Sequence, residues 1–158
     1  MKLYTKLTSE DALQLLEIGE QFHKEAVHYE GSVFDKERVW KLFDKSVTSP
    51  STTCVVYVKE GEEVVGAIMG SMSTRFFSGE RVATDLGMFL KPAYRGSSAF
   101  LKLFKAFEQW AIDNKAQHIV VGHTTGIEME VGKTLFPRLG YSLMGYIFNK
   151  EIKQCVQA

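Results

Sequence analysis

The chain has 158 residues, 45% of them hydrophobic and 12% aromatic. That is enough apolar area to offset the entropy of ordering one domain, and it excludes a disordered chain. Nineteen Lys and Arg balance nineteen Asp and Glu, so the net charge is zero and the basic excess that phosphate-backbone binding draws on is missing. The two cysteines, Cys54 and Cys155, build no disulfide framework, which points to a reduced intracellular protein. No stretch reaches the roughly 18–20 apolar residues of a membrane helix. The opening run Met1-Lys2-Leu3-Tyr4-Thr5-Lys6-Leu7-Thr8 lacks a signal peptide's apolar core. The expectation is a cytoplasmic protein with no membrane and no nucleic acid among its partners.

One domain over residues 1–158 is expected, because no repeat, low-complexity tract or Pro/Ser-rich linker divides the chain. Thr8, with Asp11 three residues later, opens a first helix whose inward face is Ala12, Leu15, Leu16, Gly19, Phe22 and Ala26. Asp35 caps a second helix carrying Val39, Leu42 and Phe43. Residues 53–59 alternate as a strand, a turn follows at Glu60-Gly61-Glu62, and residues 64–72 return as a second strand. After Ser78-Gly79 a third strand runs over 81–90.

The period then changes sharply. Lys91-Pro92-Ala93-Tyr94 reads as a short loop, and residues 95–114 as a long helix burying Ala99, Leu103, Ala106, Phe107 and Trp110. A buried strand is expected over 118–123, then a helix over 128–139 despite Pro137, with Gly140 in the left-handed position at its end. Residues 141–150 read as a closing strand. This order predicts an α/β fold with a mixed sheet and helices on both faces.

The stretch Leu86-Gly87-Met88-Phe89-Leu90-Lys91-Pro92-Ala93-Tyr94-Arg95-Gly96-Ser97-Ser98-Ala99-Phe100 carries the chemistry. A strand enters a short loop of small residues and then a long helix, which exposes backbone N–H groups where the helix dipole favours negative charge. A pyrophosphate fits such a turn, and an ordinary strand-to-helix connection made of small residues fits it equally. No metal is expected: His23 and His28 stand at ligand spacing from nothing, and the cysteines are isolated. No nucleophile–base motif of hydrolase type is present.

At these residues the chain resembles the GNAT superfamily of N-acetyltransferases, which move an acetyl group from acetyl-CoA to an amine. Leu90, Pro92, Arg95 and Gly96 fit the family's loop pattern, and Tyr94-Arg95-Gly96 is a common family wording. The likeness continues through Glu108-Gln109-Trp110-Ala111, the strand from Ile119 and the ending Leu135-Phe136-Pro137-Arg138-Leu139-Gly140-Tyr141. Upstream, Val64-Val65-Gly66-Ala67 matches the family's hairpin. The resemblance spans about residues 53–150 and implies a mostly antiparallel, splayed central sheet. It further implies that backbone groups of Phe89 and Leu90 pair with the pantetheine arm, and that Arg95, Gly96, Ser97, Ser98 and Ala99 hold the pyrophosphate.

The sequence also departs from the family. Ser98 and Phe100 replace small loop residues, Met129 replaces a frequent asparagine, and Phe136 stands where many members carry the tyrosine that protonates the leaving thiolate. Asp85 lies on the strand where members often carry a catalytic carboxylate. Strict spacing puts that carboxylate at Thr84, so Asp85 takes the role only if a bulge shifts the register. His123, at a strand end, is a second candidate for proton transfer. The first inter-helix loop helps form the acceptor site in the family, which implies that Glu25, Tyr29 and Glu30 meet a cationic small-molecule or peptide amine. A homodimer is left open. The rival reading is a catalytically degenerate acyl-CoA-binding or protein-interaction module on the same fold, and a third is a transferase using a longer acyl or an aminoacyl donor.

Overall fold

The structure, a computed structural model, describes residues 1–152. It holds two compact units, Met1–Ile127 and a second from Glu128 onward. Cys155 lies outside the described residues.

The first unit runs β1 (Lys2–Tyr4), α1 (Ser9–Glu25), α2 (Lys36–Thr48), β2 (Thr53–Glu60), β3 (Glu63–Thr74), β4 (Arg81–Leu90), α3 (Ser98–Asp113) and β5 (His118–Val120). Single 3-10 turns at Val27–Tyr29 and Pro92–Tyr94 follow α1 and β4. The helix starts follow from local chemistry. The Thr8 hydroxyl accepts the Asp11 N–H at 3.1 Å, and the Asp35 carboxylate accepts the Arg38 N–H at 3.0 Å, so each helix begins where a side chain satisfies an otherwise orphaned amide.

The five strands lie in sequence order, β1-β2-β3-β4-β5. The first three pairings are antiparallel and β4–β5 is parallel. Register places Val55 and Tyr57 of β2, Ala67 of β3 and Phe89 of β4 on one face. There they bury against Ala12, Leu15, Leu16 and Ile18 of α1 and Phe43 of α2. The opposite face carries Cys54 and Gly70 and receives α3, whose Leu103, Phe104, Phe107 and Ala111 are buried. A Cβ on Gly70 would lie 2.3 Å from the Phe107 ring, so only glycine lets α3 settle this close. The expected mixed, mostly antiparallel sheet with helices on both faces is what the chain forms.

Several boundaries differ from the sequence reading. β1 is only three residues long, too short to show a period, and the ladder with β2 makes it a strand. The helix expected from Arg95 begins at Ser98, because Gly96 takes φ +73° and Ser97 is the cap. β5 covers three residues rather than six.

The second unit contains α4 (Met129–Arg138), with Gly140 at φ +88° just beyond it, as expected. The closing strand over 141–150 is absent. Those residues have no regular structure, and Leu143, Met144, Tyr146, Ile147 and Phe148 are exposed. A run rich in aromatic and β-branched residues, Tyr146-Ile147-Phe148, marks a segment able to be a strand, but a strand exists only with a ladder partner. Among the described residues this one has none.

Candidate active site

β4 is the spine of the site. Among the described residues it pairs with β5 only at Val82–His118, Ala83–Ile119 and Thr84–Val120, and from Asp85 to Leu90 none of them forms a strand on that edge of β4. The sheet therefore splays at Asp85. The Lys91 N–H donates to the Val65 carbonyl at 2.9 Å, which makes Leu90–Gly66 a non-hydrogen-bonded pair of the antiparallel ladder and Phe89–Ala67 a bonded one. The Leu90 N–H and C=O consequently point to the open edge, and those of Met88 do so two residues earlier. Phe89, expected to offer its backbone to a pantetheine arm, spends it on β3 instead. Its ring packs against Phe22 of α1, with centroids 5.8 Å apart. Gly66 allows this arrangement, since a Cβ there would sit 2.3 Å from Leu90 Cδ2 and 2.7 Å from the Phe89 carbonyl oxygen.

The bulge on which Asp85 depended is present. Met69 pairs with Gly87 and Gly70 with Asp85, so Leu86 is the extra residue. The shift turns Asp85 onto the same face as Met88 and Leu90. Its Oδ1 accepts the Gly122 N–H at 2.8 Å, linking β4 to the chain beyond β5 where the two part. Burial pushes the Asp85 carboxyl above the usual aspartate value, against the opposing pull of the Gly122 amide, its own amide and nearby His123. His123 sits on the same loop with Nε2 2.7 Å from the Ile127 carbonyl, so that nitrogen carries the proton.

The turn between β4 and α3 places the next five residues. Gly96 supplies the left-handed φ that turns the chain into the helix. The Ser97 hydroxyl donates to the Tyr94 carbonyl at 2.6 Å and accepts the Ala99 N–H at 3.2 Å, while the Ser97 N–H reaches the Tyr94 carbonyl at 3.3 Å. The amides of Gly96 and Ser98 have no hydrogen-bond partner among the described residues. Phe100 is half-buried and stacks on Phe104 at 5.5 Å, which turns its ring along the helix.

Arg95 lies outside the helix and folds back. Its Nε is 3.3 Å from the Leu90 carbonyl, and its two terminal nitrogens each lie 2.5 Å from a Glu25 oxygen in a fork-to-fork pair. The guanidinium holds the Glu25 carboxyl below the usual glutamate range despite some burial. Glu25 thus joins the loop at the start of α3.

Glu25, Tyr29 and Glu30 come together in an open cleft of about 370 Å³, lined also by His23, Lys24 and Ser32. The Ser32 hydroxyl donates to the Tyr29 carbonyl at 2.6 Å, so it accepts from His23 Nε2 at 2.8 Å. His23 stacks on the Tyr29 ring at 5.7 Å. Sequence reasoning missed three contributors: Met88, Gly122 and His28, whose Nδ1 lies 2.5 Å from the Thr124 carbonyl. Ladder phase alone identifies Met88, and no spacing rule joins residues 28 and 124. In the second unit, the Phe136 ring meets Tyr141 edge-on at 5.9 Å. Among the described residues no His, Cys, Asp and Glu cluster to hold a metal ion, and no helix is long and apolar enough to cross a membrane.

Solved structures share this architecture. Glucosamine-6-phosphate N-acetyltransferase from Arabidopsis thaliana superposes with a TM-score of 0.73 at 12% identity, over 96% of this chain and 98% of that one. An aminoglycoside acetyltransferase from an uncultured soil metagenomic sample gives 0.71 at 18% identity, over 97% and 100%. AAC(6')-Iy in complex with the bisubstrate analogue CoA-S-monomethyl-acetylneamine gives 0.72 at 12% identity, over 98% and 100%. At these identities the likeness is one of fold. No curated protein matches the chain in sequence. The sequence pattern of the acetyltransferase (GNAT) family matches residues 19–140, which is most of the chain. The splayed sheet, the turn at Arg95 and this match agree, and the chain belongs to the GNAT family of acetyltransferases.

Proposed function

We propose that the protein is an N-acetyltransferase that moves the acetyl group of acetyl-CoA onto a primary amine by direct attack in a ternary complex. The observation that carries this reading is the unpaired edge of β4 from Asp85 to Leu90, running straight into the turn with the open Gly96 and Ser98 amides. A pantetheine arm is itself an amide chain, and an unpaired strand edge is its natural hydrogen-bonding partner. Met88 offers its N–H and C=O to it and Leu90 its N–H, the Leu90 carbonyl already accepting from Arg95 Nε. Arg95 and the turn through Gly96, Ser97, Ser98 and Ala99 face the pyrophosphate, with Gly96 and Ser98 as direct donors and Ser97 holding the turn in shape.

The amine nitrogen attacks the thioester carbonyl, the C–N bond forms, the C–S bond breaks, and the thiolate leaves as CoA thiol once protonated. The Leu90 N–H, aimed at the open edge, is placed to polarise the carbonyl oxygen. Asp85, with its carboxyl raised by burial, takes the proton the amine loses, directly or through water, and His123 is the second base within the same loop. On the acceptor side Tyr29 and Glu30 meet the cationic amine, while Glu25 contributes through Arg95. Two of the structural neighbours named above act on aminoglycosides or carry an aminoglycoside-derived analogue, which makes small polyamines the first acceptors to try.

The test is thiol release from acetyl-CoA in the presence of pooled small amines and peptides. Amine-dependent release supports the reading. Release that does not depend on the amine is thioester hydrolysis and contradicts amine transfer, and no release with any pool while CoA still binds favours the degenerate binding module.

A further inference from the structure

The short segment from the end of α1 to His28 is tied at both ends, through its own side chains, to opposite lips of the splay. At one end Glu25 pairs with Arg95, which follows β4 and also holds the Leu90 carbonyl. At the other, His28 donates from Nδ1 to the Thr124 carbonyl on the loop that follows β5. The same loop is tied back to β4 by the bond from the Gly122 amide to Asp85. These contacts form one closed circuit: β4 at Asp85, the Gly122–Thr124 loop, His28, Glu25, Arg95, and β4 again at Leu90. The open edge between Asp85 and Leu90 spans about 17 Å, while Glu25 and His28 are within about 11 Å even if extended. The strap thus ties the lip at Leu90 and Arg95 to the lip at Gly122–Thr124 through a segment shorter than the edge it frames.

A second contact supports the strap. Gly126 adopts φ +83°, and a Cβ there would touch Val27 at 3.5 Å and His28 Nε2 at 3.6 Å, so the loop backbone lies directly against the strap. The residues lining the cleft, His23 to Ser32, bracket this segment.

We propose that Glu25 and His28 are positioning residues: they strap the α1–α2 connector across both lips of the β4/β5 splay and so hold the acceptor cleft against the cofactor edge. This rests on the acetyltransferase reading for its kinetic consequence, though not for its structural one. Without either anchor, the connector must be ordered anew by each incoming amine, so acceptor binding weakens and the chemical step does not. Glu25 has an additional effect. Its carboxylate neutralises Arg95 beside the proposed pyrophosphate site, and its removal frees that positive charge for the phosphates.

The experiment combines kinetics with hydrogen exchange on the full chain. His28→Ala is expected to raise the acceptor KM roughly tenfold, the worth of one well-made hydrogen bond to a strongly held partner, with kcat and CoA affinity within about twofold. Glu25→Gln is expected to raise acceptor KM similarly while tightening CoA binding. The charge swap Glu25→Arg with Arg95→Glu is expected to recover acceptor KM at saturating CoA, where Glu25→Arg alone does not. Amide exchange should quicken at residues 122–127 in His28→Ala and at residues 95–97 in Glu25→Gln. Exchange equal to wild type at both anchors, or an acceptor KM within about twofold in both single variants, overturns the proposal. If the wild-type protein releases no thiol with any amine, the acetyltransferase reading fails, and exchange alone decides the strap.

Discussion

Asp85 Oδ1 and the Gly122 amide meet at 2.8 Å at the point where β4 and β5 part. Burial raises the Asp85 carboxyl above its ordinary value of 3.8, so its ionised form is less favourable in the folded chain than in the unfolded one. Folding therefore loses stability as pH rises through the unfolded value toward the folded one, and the penalty is complete above the folded value. Asp85→Asn keeps an oxygen to accept the Gly122 amide and removes the charge. Its melting temperature should exceed that of wild type at pH 7, and the difference should vanish below about pH 3.8. A gain that persists in acid would mean the effect is packing and not charge.

The same substitution reports on catalysis. As a general base, Asp85 should be worth about 100-fold or more in turnover, with CoA binding unchanged in Asp85→Asn. Steady-state rates within about twofold of wild type would make it a carboxylate that only pins Gly122.

Gly66 and Gly70 are required by close approach, since a Cβ at either would lie 2.3 Å from Leu90 Cδ2 or from the Phe107 ring. Gly70→Ala should destabilise the protein by about 1–3 kcal/mol through overpacking against α3, measured by urea unfolding. Gly66→Ala displaces Leu90 from the cofactor edge, and should weaken CoA binding in addition to its cost in stability. Equal CoA affinity in Gly66→Ala and wild type would detach Leu90 from the cofactor.

The Cys54 thiol is pushed up to about 12 by burial. Only the thiolate reacts readily, so in a Cys155→Ser background iodoacetamide at pH 8 should leave Cys54 unmodified in the folded protein and label it in urea. Rapid labelling without urea would show that the strand pair β2–β3 opens around it.

Phe136 has no proton to give to a leaving thiolate, but a thiolate with a pKa near roughly 8.5 leaves without obligatory help. Phe136→Tyr should leave turnover similar or raise it modestly, as read from thiol release. A sharp loss with CoA binding intact would place this ring in the acceptor or thioester pocket.

How much the sequence shows depends on how local the cause is. The Thr8 and Asp35 caps and the bounds of β4 are written in neighbouring residues, and each was readable, whereas Gly96, read as part of the helix from residue 95, takes φ +73° and delays the helix to Ser98. Asp85 was readable only conditionally, because the bulge at Leu86 is set by the ladder with β3. The phase of that same ladder, invisible in one strand, exchanges Phe89 for Met88 at the open edge. Arg95 and Glu25 were each picked out, for separate partners. Their pairing joins residues 70 positions apart, which no periodicity encodes. Residues 141–150 show the reverse failure, with a strand's composition and no strand to pair with among the described residues.

The central claim, that the edge of β4 and the turn at Gly96–Ala99 hold CoA by its pantetheine arm and pyrophosphate, is tested most directly by thermal melting with two ligands. CoA should stabilise the protein by about 2.7 kcal/mol at 100 times its Kd, and pantetheine without phosphates should do so far less at equal concentration. No shift at millimolar CoA, or equal shifts for the two ligands, would contradict the account.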